Sequence, residues 1–281
     1  MGQNFQQVAS RKENISAIEP LVSAMRTISL SQWRMALNRH ETLESFLPLL
    51  DEAYAVLEAN AGNAYTQSET TEKTLIILGS NRGLCGAFNK HLLRYARKKD
   101  MAATDFNEVY LTGNKLPALF KPMGFENMIS LAFPDISAIP DAMQLFQLES
   151  IEQLTGKSIF ILFNQYQGAG RYKTVSEQIY PLKPQDRSEK RLEALESIID
   201  TDARSLGLRL RQLSFSSRLQ ATLYSSMASE HSARFALMEN ADQNIENLIS
   251  ELEIILQDYR KGKITAETQE LAISSGLLGN K

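Results

Sequence analysis

No proline follows Pro184 in a chain of 281 residues, and Gly207 is the only glycine between there and Gly262. A stretch so poor in helix breakers is built to be a helix. Within it Ile245, Leu248, Leu252, Ile255 and Tyr259 recur at alternating spacings of three and four, the seam of a coiled coil rather than the broad face of a core helix. A single helix from about residue 205 to 278 makes a rod of roughly 110 Å at 1.5 Å per residue. A compact globule of this chain length is only about 50 Å across, so most of the rod is expected to project beyond its own domain.

The N-terminal segment supplies a partner for that rod. Ile15, Ile18, Val22 and Met25 follow the same spacing, Ile28, Trp33 and Leu37 extend the apolar stripe, and no glycine falls between Gly2 and Gly62. Antiparallel pairing of the two terminal helices is expected. A two-helix coil buries one seam per helix and leaves its outer faces exposed, which implies a sleeve of partner subunits. Pro20 conflicts with a regular helix, because it removes one backbone hydrogen bond at a cost of about 3 kcal/mol. A kink there, or a helix starting afresh at Glu19, is the expectation.

The middle of the chain is punctuated instead. Six of the eight prolines lie between Pro117 and Pro184, and nine of the 14 glycines between Gly62 and Gly170. Thr74-Leu-Ile-Ile-Leu-Gly79 reads as a strand buried on both faces, and Phe88 to Lys99 as a helix. Glu108-Val-Tyr-Leu-Thr-Gly113 repeats the strand-then-glycine signature. A short helix near Lys115 to Phe120, a weak strand near Asn127 to Leu131, an amphipathic helix from Asp141 to Leu154 and a strand at Ser158 to Phe163 follow. Such alternation predicts a mainly parallel sheet with helices on its faces. Gln165 to Leu182, with Gly168 and Gly170 between two β-rich runs, reads as a hairpin at the sheet edge. The fold class is therefore α/β, a long antiparallel two-helix coiled coil with a central Rossmann-like domain, divided as 1–61, 72–184 and 190–281.

Composition removes several classes of function. Thirty basic against 33 acidic side chains leave a net charge of −3, which argues against nucleic-acid binding through overall charge. The lone cysteine, Cys85, cannot form an internal disulfide, so a reducing compartment is expected. No apolar run reaches the roughly 20 residues of a spanning helix, and the first residues lack the apolar stretch of a secretory signal.

The turn Gly79-Ser-Asn-Arg-Gly-Leu-Cys-Gly86 lies between a strand and a helix, where a phosphate loop would lie. No Lys-Ser or Lys-Thr follows its glycines, and their spacing is not the dinucleotide fingerprint. Gly83 and Gly86 are expected to permit a tight turn and close helix–sheet packing. Cys85 could be activated by a helix N-terminus, but no partner base is evident and a small packed thiol is the better reading. His40, His91 and His231 are scattered, without metal-ligand spacing. Charge is clustered more tellingly: Arg11, Lys12, Arg26, Arg34 and Arg39 near one end, and Arg260, Lys261 and Lys263 near the other. Antiparallel pairing would bring these sets to similar heights, either as two solvated faces or as a basic collar meeting acidic loops of a surrounding ring.

At this point the residues match a known family. Ser80-Asn-Arg-Gly-Leu-Cys-Gly-Ala-Phe-Asn89 resembles the Asp-Arg-Gly-Leu-Cys-Gly-Gly-Leu-Asn signature of the gamma subunit of F-type ATP synthases. Glu230-His-Ser-Ala-Arg234, Met238-Glu-Asn-Ala241, Asn244, Arg260 and Ile264-Thr-Ala-Glu267 follow its C-terminal signature without a gap, and Ile15, Ile18 and Ala24-Met25 match its start. Departures are Asn81 for an aspartate, Ala87 for a glycine, Leu256 for a tyrosine, the foreign Pro20, and Ile28-Ser-Leu-Ser-Gln-Trp-Arg34 in place of a basic stretch.

The resemblance implies a mechanical part. The coil would be the central shaft turning inside three alpha and three beta subunits, with the globular domain at its foot near the epsilon subunit and the membrane c-ring. Nucleotide chemistry would belong to those partners, leaving this chain without catalytic residues, cofactor or metal, and without nucleic acid as a partner. Met25, Arg26 and Arg260 would form the collar, and Thr265, Gln269 and Glu270 the polar contacts of a bearing tip at Ile264 to Leu278. Arg82, Gly83, Cys85 and Gly86 would form a structural turn of the foot. The place implied is peripheral, at the cytoplasmic face of a bacterial inner membrane. A gamma-like subunit of a second-copy sodium-translocating ATPase, a coiled-coil adaptor with an α/β head, and an enzyme using the sheet's switch-point crevice are the alternatives.

Overall fold

A computed structural model describes residues 2–61, 72–125, 128–146, 154, 156–182 and 203–274. The elements are α1 (Gly2–Ala61), β1 (Glu72–Leu78), α2 (Phe88–Lys98), β2 (Glu108–Thr112), α3 (Leu116–Phe120), β3 (Ile129–Leu131), α4 (Ala142–Leu145), β4 (Lys157–Gly168), β5 (Arg171–Tyr180) and α5 (Ala203–Ser274). They form two compact units, Ser29–Arg234 and Met1–Ile28 with Phe235–Lys281. Each unit holds a portion of α1 and a portion of α5.

In Ser29–Arg234 the five strands form one sheet in the order β3-β2-β1-β4-β5. The first four are parallel and β5 returns antiparallel along β4 as the edge hairpin. The strands alternate their side chains between two faces, and both faces are covered. Ile76, Leu78, Tyr110, Ile159, Ile161 and Phe163 pack toward α1 and α5, against Ala36, Phe215, Leu219, Leu223 and Met227. Leu75, Ile77, Val109, Leu111 and Leu162 pack toward α2 and α3, against Leu92, Ala96, Leu116 and Phe120. Double coverage is why the strand sequences read as unbroken apolar runs; each buried Leu or Ile contributes about 1.5–3 kcal/mol relative to exposure. Polar links fix the helices to one another and to the sheet: Tyr166 N donates to Ser225 Oγ at 3.1 Å, and Arg218 pairs with Asp51.

In the other unit α1 and α5 run antiparallel, with Phe5 edge-on to Tyr259, Lys12 paired to Glu253 and Arg26 paired to Asp242. The seam is not the one expected from the apolar residues. On α5 the inward positions are Met238, Asp242, Ile245, Ile249, Leu252, Leu256 and Tyr259. Leu252 and Leu256 are 6% and 8% exposed, whereas Leu248 and Ile255 are 36% and 42% exposed. The two phases share every seventh residue, so the apolar pattern alone could not separate them. On α1 the matching phase runs through Ile15, Glu19, Val22 and Arg26, and Ile18 lies outside it, 51% exposed. The coil thus keeps a mainly apolar seam, admits charged side chains such as Arg26 and Asp242 to it, and leaves further apolar side chains facing outward.

One further expectation is corrected, and two lie partly outside the described residues. The helix does not restart at Glu19: α1 continues through Pro20, and through Pro48 as well. Both prolines are exposed, so the carbonyl left without its N–H partner can turn to water and the lost hydrogen bond is partly replaced. The helix expected from Asp141 to Leu154 is described only as the single turn α4, and most of that stretch beyond Phe146 lies outside the described residues. The part of the bearing tip after Ser274 also lies outside them.

Candidate functional site

Three places carry side chains that packing alone does not explain: the turn after β1, the charged part of the coil, and the far end of α5.

The turn Ser80 to Gly86 is tied on every side. Asn81 Oδ1 accepts from Phe133 N and Asn81 Nδ2 donates to Phe133 O, both at 2.7 Å, a pair that an aspartate could only half make. Ser80 N donates to Asn89 Oδ1 at 3.0 Å and Asn89 Nδ2 to Ser80 Oγ at 2.9 Å. Cys85 is buried with Sγ 3.5 Å from Ser80 Oγ and 3.7 Å from Arg82 O. Burial pushes its thiol up from the ordinary value, which leaves it protonated and unreactive.

From α5, Arg234 reaches the same turn. Its Nε donates to Gly83 O at 3.2 Å and its Nη2 to Arg82 O at 3.4 Å. Nη2 also pairs with Glu230, and Nη1 lies 3.2 Å from His231 Nδ1. Glu230 and Arg234 are both buried. Burial raises the Glu230 carboxyl and the Arg234 charge opposes that shift. Burial first, then the Arg234 and Arg82 charges, lower His231 to about 4, so its ring is neutral and can accept a hydrogen bond from Arg234. Glu230, His231 and Arg234 stand in the C-terminal signature but drew no structural role from the sequence. The available signal was a Glu and an Arg four apart amid small residues, in a stretch where α5 is otherwise free to be apolar.

The glycines divide differently from the expectation. Gly86 sits at φ 64°, where other L-residues are disfavoured. Gly83 has open space around the position of a Cβ, so it is not a close-packing glycine. That part belongs to Gly79, where a Cβ would fall 2.3 Å from Leu116 Cγ, and to Gly113, at φ +97° and 2.7 Å from the Gly79 carbonyl. Leu84 itself is at φ 60° and 58% exposed.

In the coil, Arg26 Nη1 lies 2.9 Å from Asp242 Oδ2 and 3.4 Å from Glu239 Oε2. A charge on the seam costs stability unless paired, and its pairing rewards one register over its neighbours. Met25 beside it is half-buried. The structure does not bring Arg26 and Arg260 together. Arg260 follows Tyr259, which faces Phe5, and Phe5 lies roughly 30 Å along α1 from Arg26 at 1.5 Å per residue. Arg11 and Lys12 are the cations of α1 nearest Arg260 in height, because Lys12 pairs with Glu253 at 2.7 Å.

Since α1 begins at Gly2, the last turns of α5 run past it. Arg260 and residues 261–271 are exposed throughout, including Thr265, Gln269, Glu270, Ile264 and Leu271. Thr265 Oγ1 donates only to its own helix, to Lys261 O at 2.9 Å. Among the described residues no group of three or more His, Cys, Asp or Glu is placed to hold a metal, and no helix is long and apolar enough to cross a membrane.

Comparison with known proteins bears on this arrangement. The family model described as ATP synthase matches residues 4–276. The ATP synthase gamma chain of Flavobacterium johnsoniae is 28% identical over 282 residues, covering 95% of this chain and 96% of its own. That of Staphylococcus epidermidis is 24% identical, covering 98% and 99%. In shape the chain is similar to the rotor in a cryo-EM structure of Euglena gracilis mitochondrial ATP synthase, with a TM-score of 0.61 at 16% identity over 94% of this chain and all of that one.

Proposed function

The chain belongs to the ATP synthase family, and from that premise we propose that it is a divergent gamma subunit. It is the central shaft of a rotary ATP synthase and works in ATP synthesis by turning rather than by chemistry. The observation that carries this reading is the second apolar stripe that the coil leaves outside its largely apolar seam. Ile18, Leu21, Ile28, Leu248 and Ile255 face outward while Asp242 and Arg26 meet at the seam. An isolated two-helix coil gains nothing from that arrangement, whereas a shaft enclosed by other polypeptides buries its outer stripe against them.

The finer assignments follow from the same reading. Residues 1–61 and 190–281 are the shaft and 72–184 the foot. Three alpha and three beta subunits surround the shaft, the epsilon subunit and c-ring meet the foot, and the assembly is peripheral at the cytoplasmic face of a bacterial inner membrane. Met25 and Arg26 contact the beta subunits at one height and Arg260 at another, so the collar is two bands rather than one. Thr265, Gln269 and Glu270 are the polar contacts of the bearing. The turn at Arg82, Gly83, Cys85 and Gly86 is structural, braced by Arg234. Each orientation of an asymmetric shaft contacts the ring differently, so rotation shifts the populations of the catalytic-site conformations in sequence.

Affinity purification of the tagged chain from its native cells, with subunit identification and an ATPase assay, tests this. Co-purification of alpha and beta subunits with ATPase activity is expected. A chain that elutes alone or with unrelated proteins, and without ATPase activity, overturns it.

A further inference from the structure

On the sheet face that carries α2, away from α1 and α5, lies a cavity of about 240 Å³ lined by Tyr95, Met101, Phe106, Phe160, Lys73 and Lys99. Its floor is aromatic: Phe106 and Phe160 meet edge-on with centroids 6.2 Å apart. Among the described residues neither the Lys73 nor the Lys99 ammonium has a carboxylate within ion-pair distance. The one acid of the lining, Asp105, accepts from Ala102 N at 3.0 Å and keeps its charge, so the two lysines leave the lining with a surplus of one positive charge. A helix C-terminus accounts for a lysine at the end of α2, but Lys73 stands on β1, where no such dipole acts. The chain as a whole is net negative, so a local surplus of positive charge over an apolar hollow selects for something acidic.

Size decides what kind of acid. The hollow is smaller than the roughly 300–1,000 Å³ of sites that enclose a whole small molecule; it has room for one aromatic side chain. We propose that this cavity docks an acidic segment of a partner subunit, which inserts a single aromatic ring against Phe106, Phe160 and Tyr95 while flanking carboxylates meet Lys73 and Lys99. The ring gains edge-to-face contacts and buried area, and the charges set orientation and encounter rate. This surface belongs to the globular domain; that its occupant is a subunit rests on the proposed function, whereas the peptide test below reads the pocket alone.

Methyl NMR of the full chain with labelled methionine tests it through the Met101 signal. The probe is acetyl-Asp-Phe-Glu-amide, with acetyl-Asp-Ala-Glu-amide, acetyl-Lys-Phe-Lys-amide and adenosine monophosphate as controls. A saturable Met101 shift with the first peptide is expected, weakened roughly tenfold in Lys73→Glu/Lys99→Glu with the other methionine signals unmoved. Lys99→Glu alone serves if the double variant does not fold. The proposal fails if Met101 is unmoved by about 10 mM peptide, or if the alanine or lysine peptide binds as well. It fails equally if the nucleotide binds more tightly, which would make the hollow a small-molecule site.

Discussion

Arg234 on α5 donates from Nε to the carbonyl oxygen of Gly83 at 3.2 Å, so a helix near the end of the chain holds the turn that follows the first strand. Removing the guanidinium in Arg234→Met leaves Glu230 buried without its counter-charge and should cost about 3–5 kcal/mol. Adding Glu230→Met should recover part of the loss, because an apolar pair replaces a buried ionic one at little net cost. Urea unfolding of the three proteins measures this, and a single variant within about 0.5 kcal/mol of wild type would contradict it.

His231 makes stability depend on pH. Its ring is held near 4 when folded against 6.5 when unfolded, so its contribution is intact above pH 6.5 and is lost as pH falls toward 4. Between pH 7 and pH 5 the wild type should lose about 2 kcal/mol more than His231→Gln. Glu230, whose carboxyl is raised, acts in the opposite direction, and comparison with His231→Gln separates the two. Denaturant midpoints that fall in parallel for both proteins would exclude the histidine.

Three glycine-to-alanine changes should rank by geometry. Gly113→Ala combines φ +97° with a Cβ 2.7 Å from the Gly79 carbonyl and should cost the most, about 1–3 kcal/mol or more. Gly86→Ala carries only the φ penalty of about 1–2 kcal/mol. Gly83→Ala meets open space and should stay within about 0.5 kcal/mol of wild type. Thermal melts of the isolated chain give the order.

The seam predicts a reversal between isolated and assembled protein. Alone, Leu252→Ala or Leu256→Ala should destabilise by about 2–4 kcal/mol, and Leu248→Ala or Ile255→Ala by less than about 0.5 kcal/mol. In a reconstituted ring the second pair should instead weaken retention of the chain. Equal effects of both pairs in isolation would place the seam elsewhere.

Removing the overhang after Lys263 should leave the melting temperature of the chain within about 1 °C, since residues 264–271 are exposed throughout. Coupling, read as ion pumping per ATP hydrolysed, should fall. Arg260→Glu should likewise reduce coupling more than assembly; equal loss of both would indicate a folding role.

The sheet was legible because strands buried on both faces must be apolar throughout, and Thr74 to Gly79 or Ser158 to Phe163 have no other use. The length of the two terminal helices was legible from the scarcity of breakers. The phase of the coil was not. Ile245, Leu252 and Tyr259 lie on both phases, while Leu248 and Ile255 are apolar yet exposed and Asp242 is polar on the seam, so hydrophobicity could not separate one phase from the other. Pro20 does not restart the helix: it lies on the exposed side of α1, where water can replace part of the missing hydrogen bond. The Arg234 brace was hidden because its partners are backbone carbonyls, which have no letter in a sequence.

The alternating spacing of four and three from Met238 to Tyr259 averages 3.5 residues per turn, slightly fewer than a straight helix, and so winds the two strands about each other in a left-handed sense. A wound pair is not indifferent to the direction in which it is twisted. Torque of one sense tightens the winding and presses the seam together; torque of the other sense loosens it and strains contacts such as Arg26 with Asp242. The elastic response of this coil therefore has a handedness of its own, and energy held in it between steps will differ for forward and reverse driving.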